Sequence, residues 1–500
     1  MTKAQEVWIG IDLGTQSAKV VAATSTGEVV AQSSLPLTSR RDGAIHEQDP
    51  EQWWSAVQHC IAQVVTSLGS RWSVAALATC ATSGTVVVCD RDSGQVLSPA
   101  LMYDDTRAAH FAPEAQQAGS PVWNRLGYSI QGSWALPAMM WLVREGLAQP
   151  GSVILTQADY VNRKLSGVAL PSDSSHTLKS GFDLDSMTWP TKVFEALSLP
   201  REYLNDVVAP GHIIGTVGRQ SSTSTGLRAG TPIVSGMTDG SAAQIASGAV
   251  SPGQWNSVLG TTLVLKGSSP LRHHDNTGSV YCHRAPCDAG WWPGGASNTG
   301  AIAVRDVLPG ADHESLVVTN QSIASASVSY PLMGVGERFP FVHPTATGFI
   351  LTDPSLLTQS DDLSVFSRIA LGVTLVERLC FDVISLAGYL VDGPISLTGG
   401  GSENRQWNGL RSTVLRRDVL VPRSTESAVG MAILARAGVE NCGPEGFSSL
   451  VESMVSVDYT LQPEASLRST VEGKYRTLVT ALADRGWIGS ELADYARDRE

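Results

Sequence analysis

Several things are scarce or missing in this sequence, and each absence closes a route. Charged residues fill only 16% of the 500 positions, so long disordered tails are not expected. No block of lysines or arginines stands out, and the net charge is −12. That disfavours nucleic acid and anionic membrane surfaces as partners. It says nothing against a nucleotide, whose phosphates can be held by backbone N–H groups and a metal ion. No CxxC pair occurs. The seven cysteines are scattered, with Cys282 and Cys287 the nearest couple, and no His/Cys spacing suits zinc. Buried thiols in a reducing compartment are expected. No segment reads as a continuous membrane span, and Met1-Thr2-Lys3-Ala4-Gln5-Glu6 lacks an apolar signal core. The expectation is a cytoplasmic protein. No Walker A lysine motif is present, so a P-loop enzyme is not indicated.

What is there suits two α/β domains. The chain is too long for one ordinary core, and an apolar share of 42% can fill two. Val7–Leu13 reads as a buried strand, Gly14-Thr15-Gln16-Ser17 as a turn, and Ala18–Ala23 and Val29–Ala31 as returning strands. Asp49 with Pro50 and Gln52 predicts a capped helix start, followed by Trp54, Val57, Ile61, Val64, Val65 and Leu68 at helical spacing and a stop at Gly69. Val74–Ala78 and Thr85–Cys89 read as further strands. The second half repeats the opening device: a strand Trp255–Leu259, a tip Gly260-Thr261-Thr262, and a return Leu263–Lys266. A long helix follows, with Phe366, Ile369, Val373, Val376, Cys380, Val383, Ala387 and Leu390 on one face. After it come a strand Ile395–Leu397, the triplet Gly399-Gly400-Gly401, and another helix. The small-residue stretch at 248–253 marks the boundary, giving domains 1–248 and 249–500.

Four places could carry chemistry. Asp12 at a strand end can hold Mg²⁺, and Gly14 lets a phosphate approach the Thr15 and Gln16 N–H groups. Asp and Gly are also plain turn formers, and the motif alone does not decide between the two. Gly260 and Thr261 pose the same choice, with a plain turn the commoner outcome. Gly399-Gly400-Gly401 with Asn404 would let a flat adenine or ribose lie against backbone. In Gly236-Met237-Thr238-Asp239-Gly240-Ser241, Asp239 stands at a strand-to-helix junction. The helix dipole favours its ionised form there, and phosphoryl transfer needs a well-placed rather than strong base. An Asp N-cap would explain it equally.

Taken in order along the chain, these pieces resemble the FGGY family of carbohydrate kinases. The resemblance runs through Gly10-Ile11-Asp12-Leu13-Gly14-Thr15, Glu47–Trp54, Tyr103-Asp104-Asp105-Thr106-Arg107, Leu259-Gly260-Thr261-Thr262, Thr398–Asn404 and Glu426-Ser427-Ala428-Val429-Gly430. Within the family, Gly181-Phe182-Asp183, His283-Arg284, Gly294–Gly300 and Gly336–Pro340 look most like D-ribulokinase-type members, with xylulokinase-like members beside them. The resemblance implies a two-domain α/β fold of the actin/hexokinase, ribonuclease H-like kind with an interdomain cleft. It implies ATP and Mg²⁺ as cofactors and transfer of the γ-phosphate to a small sugar, D-ribulose first, at O5. Asp239 looks like the catalytic base and Asp12 the Mg²⁺-associated carboxylate. Gly14, Thr15 and Gln16 would surround the transferred phosphate. Gly260 and Thr261 would form the second phosphate loop, with Gly300 near the nucleotide. Gly400, Gly401 and Asn404 would form the adenosine site, with Trp407 packing on adenine. Ser83, Tyr103 and Asp105 would line the sugar pocket together with Asp239.

Departures bear on the sugar. Ala81–Thr85 lacks the Met-His pair typical of xylulokinases and the Arg-Glu pair typical of glycerol kinases. Asp104 and His176 stand where the resembling members usually carry Asn. A kinase for xylulose or another small ketose or polyol is the rival reading, and a non-catalytic nucleotide-dependent module of the actin-like kind is the rival of another class. A homodimer is compatible with the sequence but not specified by it. Trp53-Trp54 and Trp291-Trp292 are expected as core aromatics, His273-His274 as a solvated loop, and Asp361-Asp362 as a helix cap.

Overall fold

The computed structural model describes residues 4–275, 278–310, 316–351 and 361–498. The chain forms two units. One comprises residues 1–248, 283–290 and 424–456, and the other residues 249–282, 291–423 and 457–500.

The first unit is built on a six-stranded sheet. The apolar run at residues 7–13 forms the strand Gln5–Leu13 at its centre. That strand pairs antiparallel with Ser17–Ala23, which pairs antiparallel with Val29–Pro36. On its other side lies Trp72–Ala81, parallel, then Pro232–Val234, parallel, then Ile213–Thr216, antiparallel. Helix Pro50–Leu68 packs its apolar face on this sheet. Asp49 caps it, accepting from Glu51 N. Gln52 does not complete the expected capping box: its Oε1 accepts instead from Thr38 N at 2.7 Å. Trp53 rather than Trp54 fills the core position, fully buried, with its Nε1 donating to Gln48 Oε1 at 2.7 Å.

The second unit repeats this plan. Trp291–Ser297, Leu263–Gly267 and Trp255–Leu259 are neighbours joined antiparallel. Ile395–Thr398 and Val419–Pro422 follow in parallel, and Val457–Leu461 closes the run antiparallel. Six of the seven strands of this sheet repeat the pairings of the first, with Tyr281–Arg284 added beyond Trp291–Ser297, so the short Gly-Thr hairpin repeat marks a duplicated sheet. The long helix spans Asp362–Leu386, capped by Asp361 as expected. It stops short of Leu390, which is 60% exposed. Trp291 and Trp292 are buried. His273 is not simply solvated: its ring stands edge-on to Tyr389, with centroids 4.8 Å apart. Six of the seven cysteines are buried, and all are free thiols. Among the described residues no helix is long and apolar enough to cross a membrane.

One close approach positions the site in the first unit. Helix Ser427–Val439 lies directly on strand Gln5–Leu13, where a Cβ on Gly10 would fall 1.7 Å from the Ala428 carbonyl oxygen. Backbone, not a pliable side chain, blocks that position. Gly10→Ala is therefore expected to cost about 2–4 kcal/mol by overpacking. By contrast, Gly409 inside helix Arg405–Leu415 meets nothing within 4 Å, and Gly409→Ala should gain roughly 0.5–1 kcal/mol through helix propensity. Chemical denaturation of both variants checks the pair of signs; a neutral Gly10→Ala would contradict this packing.

Candidate active site

Strand Gln5–Leu13 ends one residue after Asp12, whose register partners are Lys19 on one side and Cys80 on the other. The strand ends because Gly14 N turns back to Ser17 O at 3.0 Å. Asp239 is reached from strand Pro232–Val234, which lies beyond Trp72–Ala81 in the same sheet. Thr238 bridges to Ala81, and Asp239 is the first residue of helix Asp239–Ala246, with Thr238 at the cap position. The expected junction is present, and the capping residue is Thr238 rather than Asp239. Asp239 Oδ1 accepts from Gly240 N at 2.6 Å, and its carbonyl accepts from Ser427 Oγ at 3.1 Å.

The two carboxylates influence each other. Asp12 is pushed up to about 6, first by burial, then by the charge of Asp239, with Glu426 adding to the effect. The Cys80 thiol, 3.5 Å from Asp12 Oδ1, and the Lys19 ammonium oppose the rise. Lys19 also pairs with Glu426 at 2.5 Å. Tyr103 belongs to the same neighbourhood. Burial and the charges of Asp104 and Asp239 raise its hydroxyl pKa, against a hydrogen bond with Thr15 and the pull of Arg41. Its amide donates to Thr85 Oγ1, which meets Thr82 Oγ1 at 2.6 Å. Ser83 sits in that loop, its carbonyl accepting from Lys179 Nζ at 3.0 Å. Asp12, Thr15, Tyr103 and Asp239 are thus brought together, with Ser83 on the connected loop. Asp105 is placed differently from a pocket-lining acid: it is buried, and its carboxylate accepts from His46 N and from Arg107. It shapes the turn that presents Tyr103.

In the second unit the glycine segments converge on the end of strand Trp255–Leu259. Gly260 N turns to Thr262 O at 3.0 Å, and Ala301 N donates to Gly260 O at 2.9 Å. Gly300 lies so close that a Cβ would be 2.4 Å from Thr261 O. Gly399 has φ +83, and a Cβ on Gly401 would enter the Leu259 side chain. Asn404 caps helix Arg405–Leu415 by accepting from Trp407 N at 2.8 Å, while its Nδ2 donates to Leu316 O. Trp407 departs from the expectation of a ring laid on adenine. It is 3% exposed, its Nε1 donates to Thr374 Oγ1, and its ring stands edge-on to Phe366. The sequence shows a tryptophan six residues after the triplet, but not that helix Asp362–Leu386 covers it.

Three of the site glycines are free of such constraints. A Cβ would meet only Ser17 O at 3.5 Å from Gly14, only Thr262 O at 3.9 Å from Gly260, and nothing within 4 Å from Gly400. None of the three has a positive φ. The chain's own packing does not require glycine there, so the space a side chain would fill is left open at each tip. Among the described residues no group of three or more His, Cys, Asp or Glu is arranged to hold a metal. Mg²⁺ usually takes one or two protein carboxylates and completes its shell with water and phosphate oxygens. Asp12, strained by a like charge, fits such a cation.

Sequence reasoning passed over Glu337. Its buried carboxylate accepts from Ser297 Oγ, Asn298 N, Thr299 Oγ1, Tyr330 OH and Arg338 N, and so fixes the segment leading to Gly300. The only signal was its place in the Gly336–Pro340 motif.

Residues 7–246 match the family model described as FGGY family of carbohydrate kinases, N-terminal domain. Over that stretch the chain carries the N-terminal domain of the FGGY family of carbohydrate kinases. The kinase is similar to the gluconokinase of Bacillus subtilis (strain 168), 24% identical over 98% of each chain. It is also similar to the xylulose kinase of Streptomyces rubiginosus, 26% identical over 86% of this chain and 87% of the relative. Its fold matches the crystal structure of a xylulose kinase from Brucella ovis with a TM-score of 0.85 at 20% identity, covering 96% of this chain and all of that one. It likewise matches Plasmodium falciparum glycerol kinase with ADP, with a TM-score of 0.81 at 15% identity, covering 97% and 99%. The fold is the two-domain α/β fold of this family, and the enzyme is an ATP-dependent sugar kinase acting on a small sugar or polyol.

The Asp12 pKa has a consequence for stability. A carboxyl raised in the folded state holds its proton more tightly there than in the unfolded chain, so stability falls as pH rises from about 4 through about 6. The displacement from 3.8 to about 6 corresponds to at most about 3 kcal/mol. Asp12→Asn is expected to stabilise the ligand-free kinase by about 1–3 kcal/mol at neutral pH, with the gain vanishing below about pH 4. Denaturation curves across that range test this; a pH-independent difference would contradict it.

Proposed function

We propose that this kinase transfers the γ-phosphate of ATP to a primary hydroxyl of a small ketose or polyol, with a xylulose-type ketopentose placed ahead of D-ribulose. The order follows the names of the relatives, among which xylulose kinases recur. It replaces the ribulose-first expectation drawn from short motifs. The missing Met-His pair in Ala81–Thr85 means that any such pocket is lined differently, with Thr82 and Ser83 in its place.

The observation that carries the reading is Asp239 at a helix start beside Asp12 at a strand end. Asp239 accepts the proton of the attacking hydroxyl and orients its oxygen toward phosphorus. Tyr103 and Ser83 form the sugar wall, with Asp105 behind Tyr103. The N–H groups of Thr15 and Gln16 hold the transferred phosphate, with Gly14 leaving it room to approach, and that of Thr261 holds the rest of the chain of phosphates, with Gly260 leaving room in the same way. Gly300 supports that second tip. Gly400 leaves room for adenosine and Gly401 seats the adenosine turn on Leu259, while Asn404 and Trp407 hold the helix that follows. Mg²⁺ would sit at Asp12, where it supplies positive charge against the phosphate oxygens. In this assignment residues 1–248 supply the sugar and first phosphate sites and residues 249–500 the nucleotide site.

A coupled ADP assay over xylulose, ribulose, gluconate, glycerol and a tetritol is the test. The highest kcat/KM is expected for a ketopentose. A clear preference for gluconate or glycerol would overturn the substrate order, and nucleotide binding without transfer to any sugar would favour the non-catalytic module. Asp239→Asn should lower kcat by about 10²–10⁴-fold while moving the KM for ATP far less. Comparable losses in both would make the residue structural.

A further inference from the structure

One short segment touches both the base-bearing helix and the loop that carries Ser83. Helix Ser174–Thr177 and the turn Leu178–Ser180 that follows it are buried. Asp173 caps the helix, with Oδ1 accepting from Ser175 N and His176 N at 2.9 and 2.8 Å. Asp173 Oδ2 lies 2.6 Å from His176 Nδ1. The other ring nitrogen, Nε2, faces the Ala81 carbonyl at 3.3 Å. Ser175 Oγ accepts from Thr238 N at 3.2 Å, meets Thr238 Oγ1 at 3.2 Å, and lies 3.4 Å from His283 Nδ1. Lys179 reaches the Ser83 carbonyl. Within seven residues the segment therefore grips Ala81, Ser83 and the residue immediately before Asp239.

We propose that His176, held as an imidazolium by its buried ion pair with Asp173, is a positioning residue that sets the Asp239 helix against the Ala81–Ser83 loop. The proposal rests on the assignment of Asp239 as the base. Both ring nitrogens confront acceptors, a carboxylate and a backbone carbonyl. A neutral imidazole has one N–H, which would leave one nitrogen lone pair against an oxygen; the imidazolium donates at both ends. The charged and titratable groups around the ring agree. Asp173 contacts it directly, the charge of Asp159 in helix Gln157–Ser166 acts on it, and His283 is reached through Ser175. Burial works against the proton, and Asp173, by charge and hydrogen bond, together with Asp159 outweighs it, so the pKa lies above that of ordinary histidine. An asparagine at this place would donate from one side-chain nitrogen only, so one of the two grips would be lost. The histidine that departs from the expected asparagine is thereby tied to the reaction directly through Ala81 and, by way of its neighbour Ser175, through Thr238.

The test combines a spectrum with kinetics. In selectively ¹⁵N-histidine-labelled kinase, the His176 ring is expected to keep both nitrogens protonated at pH values where an ordinary histidine has lost its proton. His176→Asn should lower kcat with the preferred sugar about tenfold or more and raise that sugar's KM, while the KM for ATP moves less than about threefold. Ser175→Ala, which removes the Thr238 contact and keeps the ion pair, should lower kcat in the same direction with the ring still doubly protonated. If His176→Asn does not fold, Ser175→Ala and the ring spectrum decide. A neutral ring at pH 7, or wild-type sugar kinetics in both variants, would overturn the proposal. Failure of the wild type to phosphorylate any sugar would sink the functional assignment instead, and the spectrum would still read the charge of the ring independently.

Discussion

Two negative side chains held near each other in a partly buried place set the terms for the first unit. Burial and the charge of Asp239 raise the cost of ionising Asp12, and the fold accepts that cost where a neutral residue at 12 would be more stable. What holds them there is backbone. Asp12 is fixed by a strand with neighbours on both sides, Asp239 by the first turn of a helix whose cap bridges to Ala81. Ser427 ties the Asp239 carbonyl to the helix that rests on Gly10. Partial relief comes from the Cys80 thiol and Lys19. A cation and a substrate hydroxyl would relieve the rest, which is how a destabilised site becomes a receptive one.

The duplicated sheet explains the division of labour. In register, Gly14 and Thr15 correspond to Gly260 and Thr261, and Asp12 corresponds to Val258. One copy of the hairpin therefore carries a carboxylate just before its tip and the other an apolar residue. The same backbone device recurs in both units, and under the proposed function it would face phosphate in each, while only the first would add a ligand for a cation. The second unit spends its buried charge on structure, with Glu337 fixing the approach to Gly300 and Glu377 paired with a fully buried Arg411 at 2.8 Å.

Strand order, the two tips and the Asp239 junction were legible because each rests on local rules: apolar runs, turn residues and a helix start. Trp407 was misread because a helix distant in sequence covers it, and Asp105 because its partners, His46 and Arg107, are chosen by tertiary packing. The capping box at Gln52 failed for the same reason, its side chain being claimed by Thr38. The sugar wall was the hardest to read. The residues proposed for it, Ser83 and Tyr103, come from loops where no periodicity constrains side-chain identity, and short motifs pointed toward one sugar while whole-chain relatives carry the names of others.

The central claim is that Asp12 and Asp239 interact, and the direct measurement is the titration of the Asp12 carboxyl by ¹³C NMR in ligand-free kinase and in Asp239→Asn. The account predicts a midpoint at about 6 in the wild type that moves down toward the ordinary aspartate range when the charge at 239 is removed. An Asp12 midpoint near the ordinary value in the wild type, or one that Asp239→Asn leaves in place, would contradict it.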